Sequence, residues 1–189
     1  FEEEVQVLKD IYDEHSGLQD RFLTTGAIDT ALVRELSLSG IAARAASVLR
    51  DGRAYRQGYT PPPPYGDLGV RPASDERGDV AARVAVRFLE VLESLRLLRQ
   101  IAGNLPAGAI RAELAPRPGG SGLGIVEGWR GEVLVALELD GQGRIGRCHP
   151  HDPSWQAWPA LEHAVLKDIV PDFPLINKSF NLSYAGVDL

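Results

Sequence analysis

A chain of 189 residues, 44% hydrophobic and 24% charged, is long enough to bury a real core and has the composition of an ordinary globular protein. Its net charge of −6 and pI of about 5.2 exclude the basic footprint of a nucleic-acid binder. No apolar run reaches the roughly 20 residues of a membrane-spanning helix, and a single cysteine, Cys148, rules out an intrachain disulfide and suits a reducing cytoplasm.

The chain opens at Phe1 rather than Met and runs straight into a helical pattern, so it is expected to be a piece of something longer. No basic-then-apolar leader is visible. Residues 2–15 place Val5, Leu8, Ile11 and Tyr12 at helical spacing. Asp29 is an N-cap for a short helix through Leu36, and Gly40 to Val48 is a third, in which Ala42, Ala43, Ala45 and Ala46 permit close packing. Pro61 to Pro64 is stiff and extended and opens a surface loop ending near Gly78. Asp79 then caps a long helix to Ala102, stopped by Gly103. Val80, Val84, Phe88, Val91, Leu95 and Leu98 form its stripe, widened by Leu89 and Leu92, as in a core helix.

After Leu105 the pattern changes. Gly119 to Gly124 reads as a flexible loop, followed by strands at Ile125–Trp129, Glu132–Leu139 and Arg144–His149. Val133, Val135, Leu137 and Leu139 alternate, and Asp140-Gly141 is a hairpin turn. Ser154 caps a last short helix to about Leu166, and the tail from Val170 reads as mostly irregular. Helices followed by a small antiparallel sheet predict an α+β fold. The reading is one domain over 1–189: a helical part at 1–105 with a Pro-rich loop at 60–78, then a hairpin, short helix and tail at 106–189.

Several stretches carry a resemblance. They are Gly78-Asp79-Val80-Ala81-Ala82-Arg83 with Glu90, Ser94, Arg99-Gln100 and Leu105-Pro106; Val126-Glu127-Gly128-Trp129-Arg130-Gly131-Glu132; and Asp152-Pro153-Ser154 with Trp158-Pro159-Ala160-Leu161-Glu162. Thr25-Gly26, Gly40, Arg44, Asp51 and Arg53 add a weaker match. In this order they resemble the large subunits of energy-converting nickel–iron hydrogenases (hydrogenase III type) and the related quinone-site subunit of NADH dehydrogenase, complex I. The resemblance implies a hydrogenase large-subunit-like fold, C-terminal portion. It also implies an oxidoreductase complex with an iron–sulfur small subunit and membrane subunits, on the cytoplasmic side, peripheral to the inner face of the cell membrane.

Hydrogenases of this family end in a C-x-x-C pair that ligates nickel and iron. The resemblance places Ser183 and Gly186 at those positions, and a soft metal centre needs thiolates. No nickel–iron catalysis is therefore expected, and no cofactor in this chain, with quinone as the candidate ligand. NAD binding is associated with relatives, but no phosphate-cradling loop supports it here. The family's quinone-contacting His lies on an N-terminal hairpin not present in this chain.

Arg130 and Glu132 either line the cavity implied by the resemblance or form a salt-bridged turn. Tyr184 and Asp188 are the tail's candidate proton donor and acceptor. Cys148, His149, His151 and Asp152 form the densest ligand-capable cluster, with His149 and His151 on one strand face. Their alternatives are a small metal-binding enzyme or a polar loop. Arg83, Arg87, Arg96 and Arg99 mark either a solvated helix face, relieved by Glu90 and Glu93, or a docking face. Trp129, Trp155 and Trp158 are expected to bury against the hairpin, with Trp155 alternatively at an interface. A ligand-free scaffold subunit is the third functional reading.

Overall fold

The computed structural model describes residues 1–54, 58–111 and 119–187. Its elements are α1 (Glu2–Glu14), α2 (Ser16–Phe22), α3 (Thr30–Glu35), α4 (Gly40–Arg44), α5 (Tyr65–Leu68), α6 (Val80–Gly103), β1 (Gly120–Gly128), β2 (Gly131–Leu139), β3 (Ile145–His151), α7 (Ser154–Ala164) and α8 (Phe173–Phe180), with 3-10 turns at Val170–Asp172 and Ala185–Val187. The α+β architecture, rich in helix with one small antiparallel sheet, is as expected.

Three acidic residues open α1 and favour its N-terminus. His15 ends α1 and caps α2, its Nδ1 accepting from the Leu18 amide at 3.2 Å. The α1 stripe is only partly used. Leu8 and Ile11 are exposed, and Tyr12 carries the contact, with ring centroids 5.8 Å from both Phe22 and Phe88. Asp29 caps α3 through the Leu32 amide. Asp79 caps α6 through the Ala82 amide at 2.7 Å, while its other oxygen accepts from Thr24 N.

The core is helical. Ile28, Val33, Ala43, Ala46, Val80, Ala160, Leu161, Ile176 and Phe180 pack together, and Ile41, Ala45, Ala82 and Val86 form a smaller cluster beside them. The alanines at 42, 43, 45 and 46 are buried as expected, and their small volume lets α4 lie close to α6.

The apolar stripe of α6 needs correction. Leu98 and Leu89 are exposed, whereas the buried positions include Arg83, Val86, Glu90 and Leu97. The inward face is thus partly ionic, because Arg83 and Glu90 find partners on neighbouring elements. Gly103 is the last residue of the helix rather than its stop; Asn104 follows as C-cap.

The Pro-rich loop is tied down: Arg96 donates to Gly69 O at 3.0 Å, and Glu93 accepts from the Arg71 amide at 2.9 Å. Arg96 and Glu93 also pair, and Arg99 pairs with Glu2.

The sheet is an antiparallel meander in the order β1-β2-β3. Gly120 to Gly124 pairs with Leu139 to Val135, so that stretch is strand, not loop: ladder hydrogen bonds to β2 outweigh its poor intrinsic propensity. The β2–β3 connection is longer than an Asp-Gly pair. Asp140 accepts from both Gln142 N and Arg144 N, so an aspartate-centred loop replaces the two-residue turn.

Ser154 is the first residue of α7, not its cap; the Asp152 carboxylate accepts its amide at 2.7 Å. The tail is also more ordered than expected. Ile176 and Phe180, one turn apart, bury the inner face of α8, which ends at Asn181 in the left-handed conformation. Trp129 and Trp155 are partly exposed; Trp158 packs on Tyr184, ring centroids 5.0 Å apart.

Candidate functional site

The β1–β2 turn, the tail and the α7 N-terminus meet at one end of the sheet. Gly128 pairs with Gly131, leaving Trp129 and Arg130 as a two-residue turn. That turn is pressed against the start of α4. Gly40 has φ +64, and a Cβ there would lie 2.0 Å from Arg130 O. Only glycine fits that approach. The Ser39 hydroxyl accepts from the Glu132 amide at 3.4 Å.

The turn sends its charged groups to different places. Arg130 Nε donates to Asn181 O, at the end of α8. Glu132 pairs with Arg50 at 3.2 Å. Arg130 and Glu132 therefore do not pair with each other, and the salt bridge at this turn is the one from Glu132 to Arg50. Glu127, opposite Glu132 in the ladder, turns into the helical body.

There it joins a buried ionic cluster. Arg44 is fully buried. Its Nε donates to Glu90 at 2.6 Å, and its Nη1 donates to Glu127 at 3.0 Å and to Arg50 O at 2.8 Å. Glu127 also accepts from Gly52 N at 3.1 Å. Asp51 lies 4.0 Å from Arg44 and takes both arms of Arg53, at 3.0 and 2.8 Å. Three carboxylates thus face two guanidiniums. Burial raises the Glu90 carboxyl above its ordinary value despite Arg44. Burial also pushes Asp51 up, but hydrogen bonds from the Arg53 side chain and backbone outweigh it and hold Asp51 below its ordinary value. All five residues are among those carrying the resemblance, but their gathering into one cluster was not foreseen from sequence. The available signal was Arg44 inside an alanine run: a guanidinium among small apolar residues needs buried acids.

Arg83 is a second buried cation. It donates to Ser179 Oγ at 2.8 Å, Gly78 O at 2.6 Å and Gly26 O at 2.9 Å, and lies 4.1 Å from the Phe180 ring centroid. Burial, then neighbouring Arg87, push its pKa down to about 9. Arg87 donates to Ser179 O, and burial lowers it to about 10. Arg83 does not lie on a solvated face and Arg87 is only partly exposed; Glu90 pairs with Arg44 and relieves Arg87 only from a distance.

The tail closes on itself. Gly186 N donates to Ser183 Oγ at 3.0 Å, and Ser183 N donates to Ser154 Oγ at 3.0 Å. The Trp155 indole donates to Gly186 O, and the Trp158 indole donates to Ser183 O at 3.4 Å. A Cβ at Gly186 would meet Asp152 Cγ at 2.8 Å. Tyr184 is largely exposed and accepts from Asn177 at 3.0 Å; it lines an open depression of about 290 Å³. Asp188 lies outside the described residues.

On β3, Cys148 and His149 are exposed. His151 contacts Gln156 at 3.2 Å and packs edge-on against Trp155. Cys148 pairs with Leu137 and His149 with Ala136, which places them on opposite sheet faces. Among the described residues no group of three or more His, Cys, Asp or Glu side chains is gathered as a metal ion requires. At the Ser183–Gly186 turn the side-chain groups are the Ser183 hydroxyl and the Asp152 carboxylate, with none at Gly186, and neither group is a thiolate.

Comparison with known proteins places these features. Residues 1–117 match the family described as respiratory-chain NADH dehydrogenase, 49 Kd subunit. The carbon monoxide-induced hydrogenase of Rhodospirillum rubrum is 30% identical over 172 residues, covering 90% of this chain and 46% of that protein. The membrane-bound hydrogenase subunit alpha of Pyrococcus furiosus is 30% identical, covering 90% and 44%. An NADH-quinone oxidoreductase subunit of Myxococcus xanthus is 30% identical, covering 84% and 45%. The chain spans less than half the length of these relatives. With that match over most of its length, the chain belongs to the family of the respiratory-chain NADH dehydrogenase 49 Kd subunit, within the superfamily that includes hydrogenase large subunits.

Proposed function

We propose that this chain serves as a metal-free, large-subunit-like component of a membrane-associated oxidoreductase complex of the hydrogenase or NADH dehydrogenase type. The observation that carries the reading is the closed Ser183–Gly186 turn. Ser183 Oγ is occupied by the Gly186 amide, and Asp152 fills the space a side chain at 186 would need. If these are the positions where hydrogenase relatives present thiolates, the turn is built to do without them. The family membership supports the rest: docking to an iron–sulfur small subunit and to membrane subunits, at the inner face of the cell membrane. Among the described residues no helix is long and apolar enough to cross a membrane.

The ligand assigned to this end of the sheet is a quinone headgroup or a transferred proton. Arg130 commits Nε to Asn181 O; among the described residues its terminal nitrogens have no protein partner, and they are free to donate to a ligand oxygen. Glu132, half-buried beside Arg50, is the accompanying carboxylate.

The test is elemental analysis of the full-length protein, isolated with its partners without chelator, together with melting in the presence of a short-chain quinone analogue. The expected result is no nickel bound by this subunit, co-isolation with an iron–sulfur subunit, and a saturable rise in Tm that Arg130→Ala removes, since a native-state ligand stabilises by mass action. Stoichiometric nickel that is lost on Ser183→Ala would overturn the reading.

A further inference from the structure

Among the described residues, three cations of α6 and α8 have no ion-pair partner. Arg83 and Arg87 sit one turn apart, both buried enough to lower their pKa. Among the described residues neither lies within ion-pair distance of a carboxylate; their hydrogen bonds go to backbone carbonyls and to the Ser179 hydroxyl. Asp79 and Asp168 act on Arg83, and Glu90 on Arg87, only from farther away. Lys178 projects from α8 at the same place, exposed and likewise without an ion pair among the described residues. In a chain of net charge −6, this is a local surplus of positive charge.

Arg87 and Lys178 rim a depression, with Arg83 buried behind them. About 400 Å³ of open space lies between α6, α8 and the β1–β2 turn, walled by Val80, Val84, Trp129 and Leu175, with Arg87 and Lys178 at its edge. Trp129 is 42% exposed there. On the far side of Lys178 and Asn181 the second depression, of about 290 Å³, is lined by Phe173, Leu182 and Tyr184. Among the described residues no carboxylate lines either one. Phe173 and Tyr184 are 46% and 68% exposed, so exposed aromatic anchors flank a central cation on both sides. Two shallow hollows that share Lys178 and Asn181 suit an extended chain segment better than a single compact ligand, which prefers an enclosed pocket.

We propose that this double depression is the docking site for a segment of a partner subunit that carries a carboxylate between apolar side chains. The carboxylate meets Lys178 and Arg87, and the apolar residues on either side fill the Trp129 and Tyr184 hollows. Exposed aromatics with a cation between them are the ordinary composition of an interface centre. The inference rests on the reading of the chain as a component of an assembly, and it adds which surface is used and what recognises it.

Zero-length carbodiimide coupling tests it, applied to the assembly isolated through the full-length protein. The expected result is a covalent amide between Lys178 Nζ and an Asp, Glu or C-terminal carboxylate of another subunit, flanked by apolar residues. Lys167, exposed at a different place, serves as the control. Lys178→Arg should abolish the amide yet keep the partner, whereas Lys178→Glu should lower recovery of that partner about tenfold. Partner subunits recovered intact with no Lys178 product, or unaffected by Lys178→Glu, would overturn this inference alone. Isolation of the chain with no other subunit would overturn both it and the assembly reading.

Discussion

Replacing Arg44 with methionine should cost about 3–5 kcal/mol, because it leaves buried carboxylates without their cation. The structure sets the size. Arg44 supplies one 2.6 Å hydrogen bond to Glu90 and one 3.0 Å bond to Glu127, and both acids are almost fully enclosed. Glu127 keeps the Gly52 amide, whereas Glu90 loses its ion-pair partner. Glu90→Gln alone should cost less, about 1–3 kcal/mol, since Arg44 retains Glu127 and the Arg50 carbonyl. The double variant should be less damaged than the sum of the two, because the stranded carboxylate is gone, with a coupling energy of about 1–3 kcal/mol. Urea denaturation at pH 7 reads all three; with a slope of roughly 2 kcal/mol per molar, Arg44→Met should move the midpoint by about 1.5–2.5 M. The deficit also has a pH signature. Glu90 already has a raised pKa, and losing Arg44 raises it further. The folded state then takes up a proton more readily than the unfolded chain, so the deficit is small below the ordinary glutamate value and grows as pH rises through the folded value. A loss under about 1 kcal/mol at pH 7, or an additive cycle, would refute the ionic account.

Gly40→Ala should lower stability by roughly 3 kcal/mol, combining a positive φ with a clash at Arg130 O; fluorescence should report greater exposure of Trp129. Asp51→Asn should act in the same pH sense as the Arg44 variant, but in a lower window, below the ordinary aspartate value rather than above the glutamate one. The folded Asp51 carboxyl lies below its ordinary value of 3.8, so its contribution is present above that value and lost as pH falls through the folded one, and the two stability curves should converge in acid. Ser183→Cys with Gly186→Cys should not install a nickel site. The new Cβ at 186 would meet Asp152 at 2.8 Å, and a melting temperature below that of the parent, without bound nickel, is the outcome expected from calorimetry and elemental analysis.

The elements with strong local signals were legible in the sequence. Asp79 and Asp29 cap helices because an aspartate before a helical run has amides to accept. The alternating valines and leucines of β2 are strand because period two has no other use. What escaped was set by partners distant in the chain. Gly120 to Gly124 is strand only because β2 lies beside it. α8 forms around Ile176 and Phe180, which bury against segments far away in sequence. The inward face of α6 was misjudged because hydrophobicity ranks Arg83 and Glu90 as outward, whereas Ser179 and Arg44 make them inward. The site shows the same division. Arg130 and Glu132 were visible as a motif, but their different partners, Asn181 and Arg50, depend on how tail and loop return to the turn.

This division bears on how the sheet is held. Among the described residues no strand residue belongs to either buried apolar cluster, so the sheet is not secured by hydrophobic packing into the helical core. Its attachment runs through Glu127 to Arg44 and Gly52, Glu132 to Arg50 and Ser39, and Arg130 to Asn181. Charged and directional contacts fix orientation more sharply than apolar ones, and they fail more abruptly when one partner changes protonation. Glu90, with its raised pKa, shares Arg44 with Glu127. A proton arriving at Glu90 therefore weakens one side of a shared guanidinium whose other side holds the strand that leads into Arg130. The position of the turn and the charge state of the helical core are coupled through a single arginine.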